Sequence, residues 1–386
     1  MQGLAVLAGS LAQKPGHGGH TWVFLQYLLG FRRLGWDVLF LDRLEPEMCR
    51  GAAGRPCPLE DSTALRYFLE VMRRFGLSES FALAYRGGER FVGLSRGQVI
   101  ERVRNSAILL NVMGFFNDED ILAAAPLRAF LDIDPGFGQM WQDLGQSTLF
   151  RGHDRYVTIG ENIGQPACEI PTCGIDWVTT PQPVCLEHWP RSDGDPGGPI
   201  TSIASWRGDW APVPYRGKTY GLRVHEFRKF VELPRRTGRR FELALDIHPT
   251  EVNDLALLDA NRWVRVDPRR VANDPWAYPD YIRRSAAEFM VAKNMYVASR
   301  SGWFSDRSIC YLASGRPVLA QDTGFGHLYP TGEGLLTFTT LEEAVGAVQA
   351  LKSDYAGHAR AARAIAAEYF DSDKVLTRLL GKLGVG

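Results

Sequence analysis

The feature that most constrains the fold is the alternation of short apolar segments with amphipathic ones along most of the chain. The opening "GLAVLAGS" predicts a strand that ends at Gly9 and Ser10, and a Gly/His loop, a helix and the apolar stretch 38–42 follow it. Strands that alternate with helices are typical of a mainly parallel α/β sheet. Polar and glycine residues follow several of these predicted strands, so ligands are expected at the carboxyl ends of the strands.

The alternation is interrupted at residues 181–199, where Pro and Gly are dense and no periodicity persists. It then begins again and continues to a helical C-terminus. A chain of 386 residues is also too long for one ordinary core. We therefore predict an N-terminal domain (1–185), a linker (186–199), a C-terminal domain (200–352) and final helices (353–386) that are able to cross back to the first domain.

Several elements are predicted closely enough to be checked. Residues 62–76 form a helix capped by Ser62, and residues 305–315 form another, capped by Ser305. The spacing of apolar residues predicts a helix over 279–294. A strand is predicted at 295–299, "MYVAS". The Pro- and Gly-containing stretch 207–221 is predicted to be a long loop.

Composition excludes some classes of protein. Lys plus Arg and Asp plus Glu number 44 each, so the formal net charge is zero, whereas a nucleic-acid binder normally carries a basic excess. No apolar run is long enough to span a bilayer, and the N-terminus lacks the basic start of a signal peptide. The aromatic helix at 20–35 ends in two arginines, which would suit a peripheral membrane helix, but a buried first helix explains it more simply.

The six cysteines are sparse for this length and are expected to stay reduced, in a cytoplasmic protein. Cys168, Cys173, Cys185 and His188 can be drawn as a zinc site, but their spacing matches no standard finger. We predict no metal.

Two motifs resemble the GT-B superfamily of nucleotide-sugar glycosyltransferases. "YLASGRPVLAQDTGFG" (311–326) resembles the small-Gly-x-Pro-Val segment and following Gly loop of the donor domain in many of these enzymes. "GHGGH" (16–20) resembles the Gly-Gly-Thr-Gly-Gly-His loop of one cell-wall branch. The resemblance implies two Rossmann-like domains that face a cleft, with the donor in the C-terminal half and the acceptor in the N-terminal half.

The residues themselves agree with a donor site in the second half. A helix that starts at Ser305 presents free amide donors and partial positive charge to a diphosphate, and Arg307 adds charge-assisted bonds. The resemblance also implies a basic residue after the first donor-domain strand, where Arg207 stands, with Arg216 and Lys218 as alternatives. Each arginine could equally be an ordinary surface residue, and the glycines of "TGFG" an ordinary turn. The donor candidates are Arg207, Lys218, His248, Ser305, Asp306, Arg307, Thr323, Gly324 and Phe325.

Retaining members usually carry two glutamates before this Gly-x-Pro-Val segment, but Gly302 and Cys310 occupy those positions here. This departure favours inversion, which needs a base for the acceptor hydroxyl. His20 is the first candidate and His17 the second, because the unperturbed pKa of imidazole lies near working pH. Asp134 is a competing base. The plain alternatives are that His20 only caps or packs at the start of its helix, and that Asp134 is a solvated carboxylate at the end of its strand. Acceptor-side candidates are Gly18, Gly19, Asp132, His153, Glu161 and Asn162.

Acidic D-x-D triplets are present at 132–134, 193–195 and 371–373. They resemble the divalent-cation site of GT-A, the other major glycosyltransferase fold, but the repeated α/β pattern argues against that fold. We predict a metal-independent, inverting hexosyltransferase without a cofactor beyond its nucleotide-sugar co-substrate. Its acceptor is a small molecule, a lipid-linked molecule or a glycan. A nucleotide-sugar epimerase or hydrolase and a non-catalytic nucleotide-sugar-binding protein are the alternatives.

Overall fold

The computed structural model describes residues 2–208 and 210–385. Over these residues the strands form an eight-stranded sheet, a six-stranded sheet and a two-stranded hairpin. The first sheet contains β1 (Leu4–Ala8), β2 (Asp37–Leu44), β3 (Phe81–Tyr85), β4 (Arg90–Gly93), β5 (Ile108–Val112), β6 (Arg128–Asp132), β7 (Arg155–Thr158) and β8 (Trp177–Thr179). The second contains β9 (Ile200–Ser205), β12 (Phe241–Asp246), β13 (Val264–Val266), β14 (Ala287–Met290), β15 (Val318–Gln321) and β16 (Leu335–Phe338), while β10 (Val213–Tyr215) and β11 (Lys218–Tyr220) form the hairpin.

Helices connect these strands. Those of the first half are α1 (Gly18–Arg33), α2 (Thr63–Arg74), α3 (Arg96–Arg104), α4 (Glu119–Ala124) and α5 (Phe137–Asp143). Those of the second half are α6 (Arg223–Phe227), α7 (Leu233–Thr237), α8 (Val252–Ala260), α9 (Pro268–Val271), α10 (Ala277–Arg284), α11 (Asn294–Ala298) and α12 (Asp306–Ala313). The chain ends with α13 (Leu341–Ser353), α14 (Tyr355–Ile365) and α15 (Ser372–Leu383).

Both large sheets have the doubly wound order of a Rossmann-like fold. The first runs β4-β3-β2-β1-β5-β6-β7-β8 and is parallel except for β4, and the second runs β13-β12-β9-β14-β15-β16 and is parallel throughout. The predicted α/β class with two Rossmann-like sheets is therefore confirmed. In each sheet the chain reverses the direction of strand addition beside its first strand, and open parallel sheets bind ligands at the carboxyl ends of the strands at such a point.

The two predicted N-caps are confirmed, because the Ser62 hydroxyl accepts from Leu65 N and the Ser305 hydroxyl accepts from Arg307 N. The long helix over 279–294 and the strand at 295–299 are wrong. Ser285 ends the helix, and the apolar run after it pairs as a buried strand between β9 and β15. A short apolar run fits a buried helix and a buried strand equally well by periodicity, which explains the error.

The predicted loop 207–221 is also more ordered than expected. Val213 pairs with Tyr220 and Tyr215 pairs with Lys218 in an antiparallel hairpin. The segment 210–220, which we call the crossing segment, leaves the second half and contacts the first: the Tyr215 hydroxyl donates to Asp143 over 2.7 Å, and Lys218 pairs with Glu169.

Helix α1 is buried along most of its length, as the sequence favoured. It lies between the first sheet and α15, whose Asp373 accepts two hydrogen bonds from Arg33 at 3.0 and 2.9 Å. The last helix therefore packs against the first half. Among the described residues, no helix is both long enough and apolar enough to cross a bilayer.

Two arginine side chains hold residues 189–192, which connect the two sheets, by donating to backbone carbonyl groups. The fully buried Arg316 donates to the carbonyl oxygens of Ser192 at 2.8 Å and Arg283 at 3.1 Å, and Arg363 donates to that of Trp189 at 2.8 Å. Charge-assisted bonds of this kind satisfy carbonyl groups that no helix or strand engages.

The Gly/His loop is one of the closest contacts between the halves. Gly18 N donates to Ala272 O over 2.8 Å, and a Cβ built on Gly18 would lie 2.3 Å from the carbonyl oxygen of Asp274. The glycines of this loop thus permit the backbone of one half to approach the other. The space beside Gly18 is filled by protein rather than open to a sugar.

We predict that Gly18→Ala lowers the midpoint of thermal unfolding, since the new methyl group must displace the backbone at Asp274. Overpacking of this kind costs about 1–3 kcal/mol. Gly97→Ala is the matched control, because nothing lies within 4 Å of a Cβ at that position in α3. Differential scanning calorimetry of both variants checks this, and equal midpoints would contradict the tight interface.

Candidate functional site

The candidate site lies where the carboxyl ends of the two sheets face each other, and Asp134 is at its centre. Asp134 follows β6, but the hydrogen bonds of its carboxylate reach side chains of the second half. Its Oδ2 accepts from Lys293 Nζ at 2.6 Å and from Trp210 Nε1 at 3.0 Å, and its Oδ1 accepts from the Tyr296 hydroxyl. The side chains of Asp134 and Lys293 are only 18% and 17% exposed, so this ion pair is largely shielded from solvent.

Aromatic rings enclose this ion pair. Trp210 meets the Trp141 ring edge to face at 5.1 Å, and Lys293 Nζ lies 5.0 Å from the centre of the Phe137 ring. Burial raises the pKa of Tyr296 well above its ordinary value, and the charge of Asp134 raises it further. The tyrosine therefore stays protonated and keeps donating to the carboxylate.

Arg223 spans the point at which the second sheet reverses its strand order. Its Nε donates to Val291 O, just beyond β14, at 2.9 Å, and its Nη1 donates to Ser205 O, at the end of β9, at 3.0 Å. Burial and the nearby positive charge of Arg307 together lower the pKa of Arg223 to about 10, although the charges of Asp134 and Asp306 oppose this. The guanidinium itself donates to carbonyl groups rather than to a carboxylate.

The start of α12 lies beside Arg223. Arg307 Nε donates to the fully buried Glu288 at 2.5 Å, and the other carboxylate oxygen of Glu288 has no hydrogen-bond partner among the described residues. Burial raises the pKa of Asp306, the first residue of the helix, and Arg307 opposes that rise. Two arginines and a capped helix N-terminus thus converge at one place.

A small cavity separates α12 from α1. Its volume is about 10 Å³, which is room for a single water molecule. Its lining includes Asp306, Tyr278 and Tyr27, whose hydroxyl has no hydrogen-bond partner among the residues described. The halves are therefore closely packed at this point, and a ligand of nucleotide size would enter only if they moved apart here.

His20 occupies the corresponding switch point of the first sheet. Its Nε2 lies 3.1 Å from the Ser10 hydroxyl and 3.2 Å from the Ser10 carbonyl oxygen, and its ring meets Phe24 edge to face at 5.0 Å. The Ser10 carbonyl can only accept from Nε2, whereas the Ser10 hydroxyl can donate to it or accept from it, so the ring tautomer decides which of the two bonds Nε2 makes. His17 is exposed, with Nδ1 3.2 Å from Pro15 O.

The loop after β15 holds the halves together. Gly324, at φ +93°, lies against Asn162, whose Nδ2 donates to the carbonyl oxygens of Gly324 and Arg300, both at 3.0 Å. The Thr323 hydroxyl donates to Trp303 O over 2.5 Å. Phe325 is fully buried and packs 5.0 Å from the Phe304 ring. Its ring therefore belongs to the core, contrary to a role in donor contact.

Glu161 and Asn162 are likewise contacts between the halves. The Tyr329 hydroxyl donates to Glu161, and Asn162 N donates to Ser301 O over 3.0 Å. Burial raises the pKa of Glu161 to about 7, while Lys382 and Arg378 lower it.

Two further acceptor-side candidates are engaged within the first half. Asp132 is 2% exposed and accepts from Gln139 Nε2 at 2.7 Å and the Thr158 hydroxyl at 2.8 Å. Burial raises the pKa of Asp132 to about 6 in spite of these bonds. The His153 ring packs 5.3 Å from Phe130, and burial lowers its pKa. The carboxylate of Asp132 therefore links β6, α5 and β7.

Three donor candidates lie in exposed contacts. Arg207 pairs with Glu251, Lys218 pairs with Glu169 at 2.7 Å, and His248 Nδ1 lies 2.7 Å from the Thr250 hydroxyl. The alternative Arg216 donates to Asp143 over 3.2 Å. The structure does not bring these side chains to the start of α12 with Arg307. Among the described residues, no three His, Cys, Asp or Glu side chains are grouped as a metal site would require.

Sequence reasoning missed Arg223, Lys293, Tyr296 and Trp210. Lys293 follows an apolar strand, which is the signal that identified Asp134, but the expected helix over 279–294 concealed it. Arg223 begins the five-residue helix α6, and nothing in the local sequence pattern distinguishes it from a surface arginine. Trp210 lies in the stretch that was expected to be an ordinary loop.

No protein-family model matches the chain, and no curated protein matches it. Solved structures do match it over nearly its whole length. An α-glucosyltransferase (AGT) in complex with UDP has a TM-score of 0.58 at 10% identity, covering 99% of each chain. HepE of Anabaena in complex with UDP-glucose has a TM-score of 0.57 at 11% identity, again over 99% of each chain.

AviGT4, a glycosyltransferase involved in avilamycin A biosynthesis, matches with a TM-score of 0.53 at 13% identity, over 99% of this chain and 97% of the other. A further AGT structure holds UDP and a 13-mer DNA, and its TM-score is 0.60 at 10% identity. These likenesses, together with the two facing doubly wound sheets, show that the chain has the GT-B fold.

Proposed function

We propose that this protein transfers a sugar from a nucleoside-diphosphate sugar to an acceptor hydroxyl. The observation that carries the proposal is that the half-buried Arg223 and His20 each lie where one of the two sheets reverses its strand order. The GT-B neighbours bind UDP or UDP-glucose, so UDP-glucose is the first donor to test. The hexosyl type, the stereochemistry and the acceptor are part of the proposal.

The diphosphate of the donor would bind between Arg223 and the first turn of α12. The guanidinium groups of Arg223 and Arg307 are close enough to repel each other, so an anion between them offsets that repulsion as well as forming charge-assisted bonds. Free amides of the α12 N-terminus add donors and partial positive charge. As the bond to the sugar breaks, negative charge grows on the leaving phosphate and these groups stabilise it. We propose that they do so without a metal ion.

His20 would act as the base, with inversion at the anomeric carbon. The acceptor oxygen attacks that carbon from the face opposite the diphosphate, and its proton passes to the ring. We assign the ring proton to Nε2, which then donates to the Ser10 carbonyl, so that Nδ1 is the proton acceptor. Asp134 is less suited to this role, because Lys293, Trp210 and Tyr296 already occupy its oxygens.

The acceptor would be a small molecule, a lipid-linked molecule or a glycan. One AGT neighbour was solved with DNA, but the balanced charge of this chain lacks the basic excess of nucleic-acid binders. A hydrolase of the same fold would release free sugar in the absence of acceptor, and a binding protein would give neither product.

The first prediction concerns the donor. Arg223→Gln should weaken UDP binding, measured by isothermal titration calorimetry, at least tenfold, because a charge-assisted bond to phosphate is worth about 1.5–3 kcal/mol. Arg265→Gln is the matched control, since Arg265 is exposed on β13 and pairs with Asp259. Equal affinity of both variants for UDP would rule out this placement of the diphosphate.

The second prediction concerns the base. His20→Gln keeps a donor for the Ser10 carbonyl but removes the basic nitrogen, so kcat should fall about 10²-fold or more while UDP affinity stays within twofold. His17→Gln should retain most activity. Proton NMR of the first product formed from UDP-α-glucose should show a β-linked sugar. An α-linked product, or a larger loss in the His17 variant, would overturn the assignment.

A further inference from the structure

The loop between β2 and α2 contains a small antiparallel turn that brings two cysteines together. Arg50 and Pro56 form an isolated antiparallel bridge, Gly51 N donates to Arg55 O at 2.9 Å, and Cys57 N donates to Cys49 O at 3.3 Å. Cys49 and Cys57 are therefore directly opposite each other, one step outside the bridge. Directly opposite residues project their side chains from the same face of an antiparallel pair.

The spacing of such a pair suits a disulfide. A hydrogen-bonded antiparallel pair has Cα atoms about 5.5 Å apart, which is within the range that disulfides span without backbone movement. The Cys57 sulfur lies 3.8 Å from the position of a Cβ on Gly51, the residue two places after Cys49 and on the same face. Both thiols are free in this structure.

The two sulfurs differ in access. Cys49 is fully buried, with its thiol 3.7 Å from Glu45 O, whereas Cys57 is partly exposed. Burial raises the pKa of the Cys49 thiol, and the neighbouring Cys57 raises it further. A small reagent therefore reaches Cys57 first, and Cys49 is placed to react with whatever forms there.

We propose that Cys49 and Cys57 form a reversible disulfide by exchange with a small-molecule disulfide. The Cys57 thiolate attacks one sulfur of the reagent, forms a mixed disulfide and releases one thiolate. The Cys49 thiolate then attacks the Cys57 sulfur, closes the protein disulfide and releases the second thiolate. The two cysteines lose two protons and two electrons, and the reagent is reduced to two thiols.

The bond would close a nine-residue ring in the loop that follows β2. This loop is also tied to α2, because the backbone N–H and hydroxyl of Thr63 donate to Arg50 O at 2.8 and 2.9 Å. Closing the ring restricts the unfolded chain and so stabilises the folded state. The inference does not depend on the proposed function, since it concerns a loop outside the donor and base residues.

The test treats the native protein with oxidised glutathione, alkylates the remaining thiols after unfolding, and maps tryptic peptides by mass spectrometry. Trypsin cuts after Arg50, but Pro56 protects Arg55, so the bond would join peptide 44–50 to peptide 51–66. We expect this linked pair, its loss on reduction, and a thermal midpoint several degrees higher for the oxidised protein.

Cys57→Ser should abolish the linked pair, and Cys173→Ser, which alters a cysteine in another loop, should leave it intact. Alkylation of all six cysteines after treatment would overturn the proposal. So would a glutathione adduct that persists on Cys57 without ring closure, or a bond that joins any other two cysteines.

Discussion

The arrangement of the site depends on one carboxylate that belongs to one half of the molecule and is bonded by the other. Asp134 stands at the carboxyl edge of the first sheet, and Lys293, Tyr296 and Trp210 all reach it from the second half. An ion pair with so little exposure is sensitive to geometry, because a separated partner would leave a charge without compensation. This contact fixes how the two edges face each other, and so where His20 lies relative to Arg223.

The crossing segment and the Gly/His loop add further contacts between the two halves. Trp210 brings the crossing segment over Asp134, and the hydroxyl of Tyr220 reaches Glu169 further along the first half. On the other side, Gly18 allows the backbone of the first half to contact that of residues 272–274. The halves are thus held at several points around the cavity between α1 and α12. Entry of a nucleotide sugar requires them to separate, and closing again around the donor would exclude water from the leaving group.

The fold could be predicted from the sequence because its pattern repeats. Each strand that lies buried in a parallel sheet leaves a short apolar run, and the two halves repeat that signal on either side of residues 181–199. The Ser305 cap could be predicted for a local reason, since a hydroxyl before an amphipathic segment has few other roles. The strand at Ala287–Met290 could not, because its pairing partners β9 and β15 decide between strand and helix.

The site was predictable only in part, because its residues meet through tertiary contacts. Asp134 was identified from its place after a strand, but the side chains that bond to its carboxylate are 76 to 162 positions away along the chain. Gly18 was expected on the acceptor side, whereas the backbone of the other half fills the space beside it. Phe325 and Asp132 lie in sequence contexts that suit ligand contact, but burial and internal hydrogen bonds define their roles.

The most direct test of the account is a crystal structure of the protein with UDP bound. The account predicts that the diphosphate lies between the Arg223 guanidinium and the first amides of α12, with Arg307 within hydrogen-bond distance. A nucleotide bound at the first sheet, or on the outer face of the second, would contradict it.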